Sequence, residues 1–174
     1  MGRLRPYGGG NSSGLASGTV HAGCAGRGQA IMLVLDASVH LNALNPFETG
    51  SETSQRLLKQ LFGKPWPVIS PTLLLVEVAA AVARVFNDSQ RGMAIAQAIY
   101  RLPGQIWVPL DEDLALEAAQ LAAVHRLQGA DGIYAAVAYR YHAALITLDR
   151  QQLERLASRL AVLTPDQALE RLQR

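Results

Sequence analysis

The sequence contains one cysteine, no long apolar run and few charged residues. The single cysteine, Cys24, excludes an internal disulfide framework and a zinc site built from several cysteines. Charged or turn residues interrupt every apolar run before it reaches the length of a bilayer span. Only 17% of the residues are charged and 49% are hydrophobic, which is enough for a folded core. These features favour a protein of a reducing, cytoplasmic setting without a membrane role.

The net positive charge of the 174-residue chain arises near its start. The formal charge is +2, and residues 1–30 contain Arg3, Arg5 and Arg27 without any acid. Subtracting these three charges leaves −1 for the remainder, which gives no general argument for nucleic-acid binding. Residues 1–30 are rich in Gly, Ser and Ala, so we predict a disordered leader outside the fold. We predict one domain over residues 31–174, with the native start at Met32.

Short apolar runs alternate with helical patterns across this domain. The predicted strands cover residues 31–35, 67–70, 105–110, 144–148 and 160–163. The predicted helices cover residues 51–62, 70–85, 89–100, 111–127, 131–141 and 151–157, with a last helix after Thr164-Pro165. Ser70-Pro71 is interpreted as a capping residue followed by a first-turn proline. This alternation predicts an α/β fold with a parallel sheet covered by helices on both faces.

Four acidic residues attract attention because of what surrounds them. Asp36 and Asp149 each end an apolar strand, in "MLVLD" and "ALITLD". Asp131 starts a predicted helix in "GADGIYAAVA", and Glu77 is the only charge in "TLLLVEVAAAVA". Taken singly, each aspartate is explained by helix capping, and Glu77 by an ion pair with Arg84. The capping interpretation of the aspartates and the ion-pair interpretation of Glu77 both stay open at this point.

The four acids together suggest a different interpretation. The carboxyl ends of parallel strands share one edge of a sheet, where ligands bind. Carboxylates that converge there without cations repel one another and raise one another's pKa values. Mg²⁺ and Mn²⁺ prefer oxygen ligands, so an acidic site without His or Cys indicates one of these ions and phosphoryl chemistry. The acids at 111–113 are interpreted differently, as first-turn residues that favour the helix dipole.

Four segments, "LDASV", "SPTLLLVEVAAA", "GADGIYAAVA" and "LITLD", resemble the motifs of PIN-domain ribonucleases in order and spacing. The compact size resembles the VapC-type toxins of prokaryotic toxin–antitoxin pairs. The resemblance implies a three-layer α/β/α sandwich with about five parallel strands, and RNA cleavage with Mg²⁺ or Mn²⁺. It also implies a homodimer and a cognate antitoxin that blocks the site. Gly132 stands where such proteins usually carry alanine, which we expect to loosen the helix start slightly.

The resemblance also implies roles for individual residues. The catalytic acids are Asp36, Glu77, Asp131 and Asp149. Asp36 and Asp131 are expected as direct metal ligands, with Asp149 as a further ligand, directly or through water. Glu77 is expected to bind through water or to orient the nucleophile. Ser38 and Thr147 are the supporting hydroxyls that the resemblance implies. Arg126, Arg140 and Arg150 flank the proposed site in the sequence and are expected to meet substrate phosphates. The apolar segments 57–62 and 94–107 are the candidate surfaces for a second copy or the antitoxin.

Other functions fit the sequence less well. An aspartyl-phosphate phosphatase would need a second aspartate two residues after Asp36, where Ser38 stands. A receiver-type switch could use Asp111, but no lysine follows the fourth predicted strand. A catalytically inactive PIN-like binding module remains as the non-enzymatic alternative. The three arginines could also be ordinary solvated surface residues.

Overall fold

The computed structural model describes residues 32–64 and 66–173, and the predicted leader lies outside the described residues. Within these ranges the chain forms five strands and eight helices. The strands are β1 (Leu33–Leu35), β2 (Val68–Pro71), β3 (Gln105–Val108), β4 (Ala144–Ile146) and β5 (Val162–Leu163). The helices are α1 (Ala37–Leu44), α2 (Ser51–Gly63), α3 (Leu73–Phe86), α4 (Ser89–Tyr100), α5 (Glu112–His125), α6 (Gly129–Arg140), α7 (Arg150–Leu156) and α8 (Pro165–Leu172).

The strands form one parallel sheet in the order β3-β2-β1-β4-β5, which confirms the predicted α/β class. From β1 the chain first adds strands on one side and then returns to add β4 and β5 on the other. The strand order therefore reverses between β1 and β4, which are hydrogen-bonded neighbours with Leu35 opposite Ile146. In open α/β sheets this reversal point is where ligands bind.

Helices cover both faces of the sheet, as a three-layer sandwich requires. Val34 packs with α3, α4, α5 and α6, whereas its neighbours Leu33 and Leu35 pack with α1, α2 and α8. Both faces of β1 are therefore buried, which explains why its sequence is continuously apolar. No helix in the described part of the chain is both long and apolar enough to cross a membrane.

The predicted start of α3 is wrong. Ser70 and Pro71 are the last residues of β2, and the helix begins at Leu73. The Ser70 hydroxyl donates to Gln105 Oε1 at 3.2 Å, and Pro71 is paired with Val108 of β3. Pro71 lies beyond the last residue pair of β2 with β1, at a strand end where its missing N–H is tolerated.

The structure also bears on two expectations about packing, and the first of them is wrong. The segment 57–62 is not a free surface, because Leu57 and Leu61 are completely buried between α2 and the sheet. At Gly132 the structure gives a packing reason for the glycine that the sequence did not predict. A Cβ atom at this position would lie 2.8 Å from the carbonyl oxygen of Ala118, so the glycine allows α5 and α6 to approach closely.

Candidate functional site

Asp36 leaves β1 at the reversal point and is 6% exposed. It occupies the N-cap position of α1 but makes no side-chain capping hydrogen bond, so the capping interpretation does not account for it. Its Oδ2 accepts hydrogen bonds from Ser38 Oγ at 2.6 Å and from Thr147 Oγ1 at 2.9 Å. The same hydroxyls accept from the backbone N–H groups of Leu148 and Asp149. Ser38 and Thr147 therefore join the ends of β1 and β4 around one carboxylate.

Asp131 lies in the first turn of α6, after the N-cap residue Gln128. It is not the capping residue, so that interpretation is wrong for this position. Its Oδ1 accepts a hydrogen bond from Gln152 Nε2 at 3.0 Å. Its Oδ2 is buried and has no hydrogen-bond partner in the structure. Asp131 therefore has one oxygen fixed by the protein and one oxygen unsatisfied.

Asp149 caps α7, as the simpler interpretation of the sequence proposed. Its Oδ1 accepts from the backbone N–H groups of Gln151 at 2.6 Å and Gln152 at 3.1 Å. The charge of Asp149 nevertheless acts on Asp131, because it helps to raise the pKa of that residue. Capping a helix and belonging to the acidic cluster are compatible for this residue.

Glu77 lies on α3, and its partner differs from the predicted one. Its Oε2 accepts a hydrogen bond from Tyr134 Oη at 2.6 Å. Tyr134 is completely buried on α6, three residues after Asp131. Within the described residues Arg84 forms no ion pair, so the expected Glu77–Arg84 pair is wrong. A neutral hydroxyl, rather than a cation, stabilises the Glu77 carboxylate.

The carboxylates influence one another electrostatically. Burial is the main cause that raises the pKa of Asp36, and hydrogen bonds from Ser38 and Thr147 oppose it. Burial also raises the pKa of Glu77, with smaller contributions from the charges of Asp36 and Asp131. The pKa of Asp131 rises to about 6 through burial and then through the charges of Asp36 and Asp149. Each of the four acids repels, or is repelled by, at least one other, and the four are therefore called the acidic cluster.

The donor set fits a hard divalent cation, because every candidate ligand is an oxygen. The unpartnered Oδ2 of Asp131 is the buried atom that such an ion would satisfy. Across residues 32–64 and 66–173, no group of three or more His, Cys, Asp or Glu residues is close enough to hold a metal ion directly. The site therefore suits an ion that binds few carboxylates directly and keeps several of its waters. It does not resemble a dedicated cage of carboxylates.

The three predicted arginines occupy different positions. Arg140 is paired with Glu117 at 3.1 Å, nine residues and about 14 Å along α6 from Asp131, so it does not lie at the acidic cluster. Arg150 directly follows Asp149 and lies 3.8 Å from Glu154 on an exposed face. Arg126 ends α5 in a left-handed conformation.

The sequence analysis missed some residues that shape the site. Gln152 and Tyr134, which contact the acids, were not predicted from the sequence. The available signal was helical spacing: Gln152 lies four residues before the buried Leu156, on the inner face of α7.

Comparisons with known proteins agree with this fold. The chain matches the PIN domain family over residues 33–159, which is more than half of its length. It is similar to VapC20 from Mycobacterium tuberculosis, described as a sarcin-ricin loop cleaving toxin, with 18% identity and a TM-score of 0.58 over 74% of this chain and 95% of that chain. No curated protein sequence matches it significantly.

Two further solved structures are similar. FitAcB from Neisseria gonorrhoeae has 24% identity and a TM-score of 0.57, covering 77% of this chain and 98% of that chain. DNA-bound VapBC from Salmonella typhimurium has 12% identity and a TM-score of 0.59, covering 78% and 98%. At such low identities the structural similarity establishes the fold, whereas the sequence match establishes the family. The chain therefore belongs to the PIN-domain family.

Proposed function

We propose that this protein is an Mg²⁺- or Mn²⁺-dependent ribonuclease that hydrolyses RNA phosphodiester bonds, and that it is the toxin of a toxin–antitoxin pair. The family membership supports a nuclease function. The similar proteins support the toxin assignment, since one is described as a toxin that cleaves the sarcin-ricin loop and another as a toxin–antitoxin complex from Klebsiella pneumoniae.

One observation carries the metal dependence. Oδ2 of Asp131 is buried without a partner, beside Asp36, whose Oδ2 already accepts several hydrogen bonds. A buried carboxylate oxygen without a partner is costly, and a divalent cation would remove that cost. Asp36 and Asp131 are therefore the expected direct ligands, with Asp149 and Glu77 acting directly or through water.

When bound, the cation would supply a more acidic water and would stabilise the negative charge that develops on the phosphate. The side chains of this chain do the positioning. Ser38 and Thr147 hold Oδ2 of Asp36, which fixes the direction of its other oxygen. Tyr134 fixes the Glu77 carboxylate, which orients the attacking water. Arg150, which directly follows Asp149 in the chain and is exposed, is expected to meet a phosphate of the substrate.

The test is cleavage of a structured RNA by the wild-type protein in Mn²⁺ and then in excess chelator. Asp36→Asn and Asp131→Asn keep the side-chain shape but remove a negative ligand, so cleavage should fall about 100-fold or more. Ser38→Ala should be milder, about 10-fold, because the hydroxyl acts through Asp36. Asp88→Asn is the matched control: Asp88 caps α4, and asparagine caps equally well, so cleavage should not change.

The outcomes separate the two functions considered. Cleavage that depends on Mn²⁺ and is lost in both site variants supports the nuclease. If the wild-type protein cuts no RNA but binds its partner normally, the chain is a catalytically inactive PIN-like binding module. If both asparagine variants cut as fast as the wild-type protein, the carboxylates are not metal ligands and the mechanism is wrong.

The proposal includes a homodimer and an antitoxin that binds an exposed apolar surface. A groove of about 690 Å³ between α3 and α4 is lined almost entirely by apolar side chains. Among them Val76, Met93 and Tyr100 are 64%, 53% and 54% exposed, and Tyr100 belongs to the predicted segment 94–107. Contiguous exposed apolar surface of this kind marks interaction sites.

Light scattering should detect a dimer at micromolar concentration. Met93→Glu, which places a charge in the groove, should shift the protein towards the monomer. Val124→Glu, at an exposed apolar position on α5 outside the groove, should not. A wild-type monomer at high micromolar concentration would contradict the dimer, and an unchanged dimer in Met93→Glu would exclude this groove as its interface.

A further inference from the structure

Gln152 contacts three of the four acids of the cluster. Its backbone N–H donates to Asp149 Oδ1 at 3.1 Å, and its side-chain nitrogen Nε2 lies 3.0 Å from Asp131 Oδ1. The same nitrogen lies 3.4 Å from Asp36 Oδ2, which makes this contact the weaker of the two. The side chain is 0% exposed, so water does not compete for these hydrogen bonds.

The chemistry of the amide suits a position between two carboxylates. Its nitrogen carries two hydrogens and no net charge, so one Gln152 side chain can donate to Asp36 and Asp131 at once. These two acids come from different elements, the end of β1 and the first turn of α6. A neutral donor offsets part of their repulsion without neutralising either charge. Both groups therefore stay available as anionic ligands, whereas the positive charge of a lysine or arginine at this position would repel a bound cation.

The hydrogen bonds also determine which carboxylate oxygens stay unengaged. Gln152, Ser38 and Thr147 all donate to Oδ2 of Asp36, and no side chain within residues 32–64 and 66–173 donates to its Oδ1. Gln152 occupies Oδ1 of Asp131, whose Oδ2 has no partner. Each carboxylate is thus held by one oxygen and leaves the other for a ligand.

Packing alone does not favour glutamine at this position. The side-chain oxygen Oε1 of Gln152 is also buried without a hydrogen-bond partner, which costs stability. An apolar side chain of the same length would fill the same space between α7 and the sheet and would leave no unpaired oxygen. The contacts of Nε2 with the acids are therefore the part of the side chain that calls for a functional explanation.

We propose that Gln152 is a positioning residue for the metal site, whose amide orients Asp36 and Asp131 so that one oxygen of each is directed to the same divalent cation. This rests on the proposed function, because it requires that the acidic cluster binds a divalent cation. Residues that orient metal ligands in this way typically change metal affinity 10- to 100-fold when they are replaced.

The test measures Mg²⁺ and Mn²⁺ binding by calorimetry, independently of any cleavage. Gln152→Met keeps the length and volume of the side chain but removes both N–H donors. We expect its dissociation constant to rise about tenfold, which corresponds to about 1.4 kcal/mol. Gln151→Met is the matched control, because Gln151 is the preceding residue of α7 and its side chain is exposed. Its dissociation constant should equal that of the wild-type protein.

A measurement on the wild-type protein covers the case in which Gln152→Met does not fold. The side-chain amide of Gln152 should give two distinct proton resonances in NMR spectra, and saturating Mg²⁺ should shift them more than the amide resonances of Gln151. An amide that does not respond when Mg²⁺ binds would overturn the proposal.

The outcomes distinguish the failure of this inference from the failure of the proposed function. If the wild-type protein binds neither ion, the metal site itself is wrong. If the wild-type protein binds an ion and Gln152→Met binds it equally well, Gln152 only fills space and the positioning role is refuted. A weaker affinity in Gln152→Met alone, with normal affinity in Gln151→Met, supports the inference.

Discussion

Asp131→Asn tests whether repulsion within the acidic cluster destabilises the metal-free protein. The pKa of Asp131 is raised from 3.8 to about 6, first by burial and then by the charges of Asp36 and Asp149. Between these two pH values the folded state binds more protons than the unfolded state, so stability falls as pH rises. The stability that the proton on Asp131 contributes is fully present below about pH 4 and is lost as the pH rises through about 6.

The size of this effect follows from the same difference. The rise in the pKa of Asp131 from 3.8 to about 6 corresponds to about 3 kcal/mol, at about 1.36 kcal/mol for each pKa unit. Asp131 is only partly buried, and water screens part of the repulsion, so we expect about 1–2 kcal/mol. Asparagine keeps the Oδ1 acceptor for Gln152 but carries no charge. The free energy of unfolding of Asp131→Asn, compared with that of the wild-type protein, should therefore increase by about 1–2 kcal/mol when the pH is raised from 4 to 7.5.

The assay is urea unfolding in excess chelator at both pH values, with Asp88→Asn as the control for the loss of an exposed carboxylate. The control should match the wild-type protein, because asparagine replaces aspartate as a cap at little cost. Adding Mg²⁺ at about 100 times its dissociation constant should stabilise the wild-type protein by about 2.7 kcal/mol but Asp131→Asn much less. A stability difference between variant and wild type that is identical at pH 4 and pH 7.5 would refute the electrostatic reasoning.

Three further predictions concern stability in the metal-free state, measured by the same unfolding assay. Gly132→Ala should lower the free energy of unfolding by about 1–3 kcal/mol, because its Cβ would clash with a carbonyl of α5. The control Gly63→Ala, at a position with open space, should be neutral or slightly stabilising. Equal effects of the two substitutions would contradict the close approach of α5 and α6. Tyr134→Phe should cost about 1–2 kcal/mol at pH 7.5 and less at pH 4, because the lost hydrogen bond favours ionised Glu77; a cost that does not depend on pH would contradict this. Thr164→Ala removes the capping box of α8 and should cost about 1 kcal/mol, and an unchanged stability would show that this helix end is frayed.

The parallel sheet could be predicted because most strands are short apolar runs followed by a polar residue. The end of β1 was predicted in this way, and it places Asp36 at the reversal point, whereas β4 ends at Ile146, two residues before its predicted end. The start of α3 was not readable. Ser70 and Thr72 both precede the helix at plausible capping positions, and only the pairing of β2 with β3 shows that Ser70 still belongs to the strand.

The contacts among the acids could not be predicted, because they depend on which face of a helix turns inward. Gln151 and Gln152 are identical neighbours in the sequence, yet one is exposed and the other is completely buried. Similarly, the partner of Glu77 is a tyrosine 57 residues away, and no local pattern distinguishes Tyr134 from a tyrosine that merely packs in the core. Sequence spacing identifies the acids, whereas packing selects the neutral residues that hold them.

The separation in sequence between Asp36 and its hydrogen-bond partners has a consequence for synthesis of the chain. Thr147 and Gln152 follow Asp36 by 111 and 116 residues, and β4 must insert beside β1 before either contact forms. A ribosome that adds about 5–20 residues per second needs roughly 6–23 s to make the intervening chain. Throughout that interval the nascent chain has an unpaired side of β1 and no assembled cluster of acids. Whatever chemistry the cluster performs therefore begins only after Gln152 has been made and β4 has paired with β1.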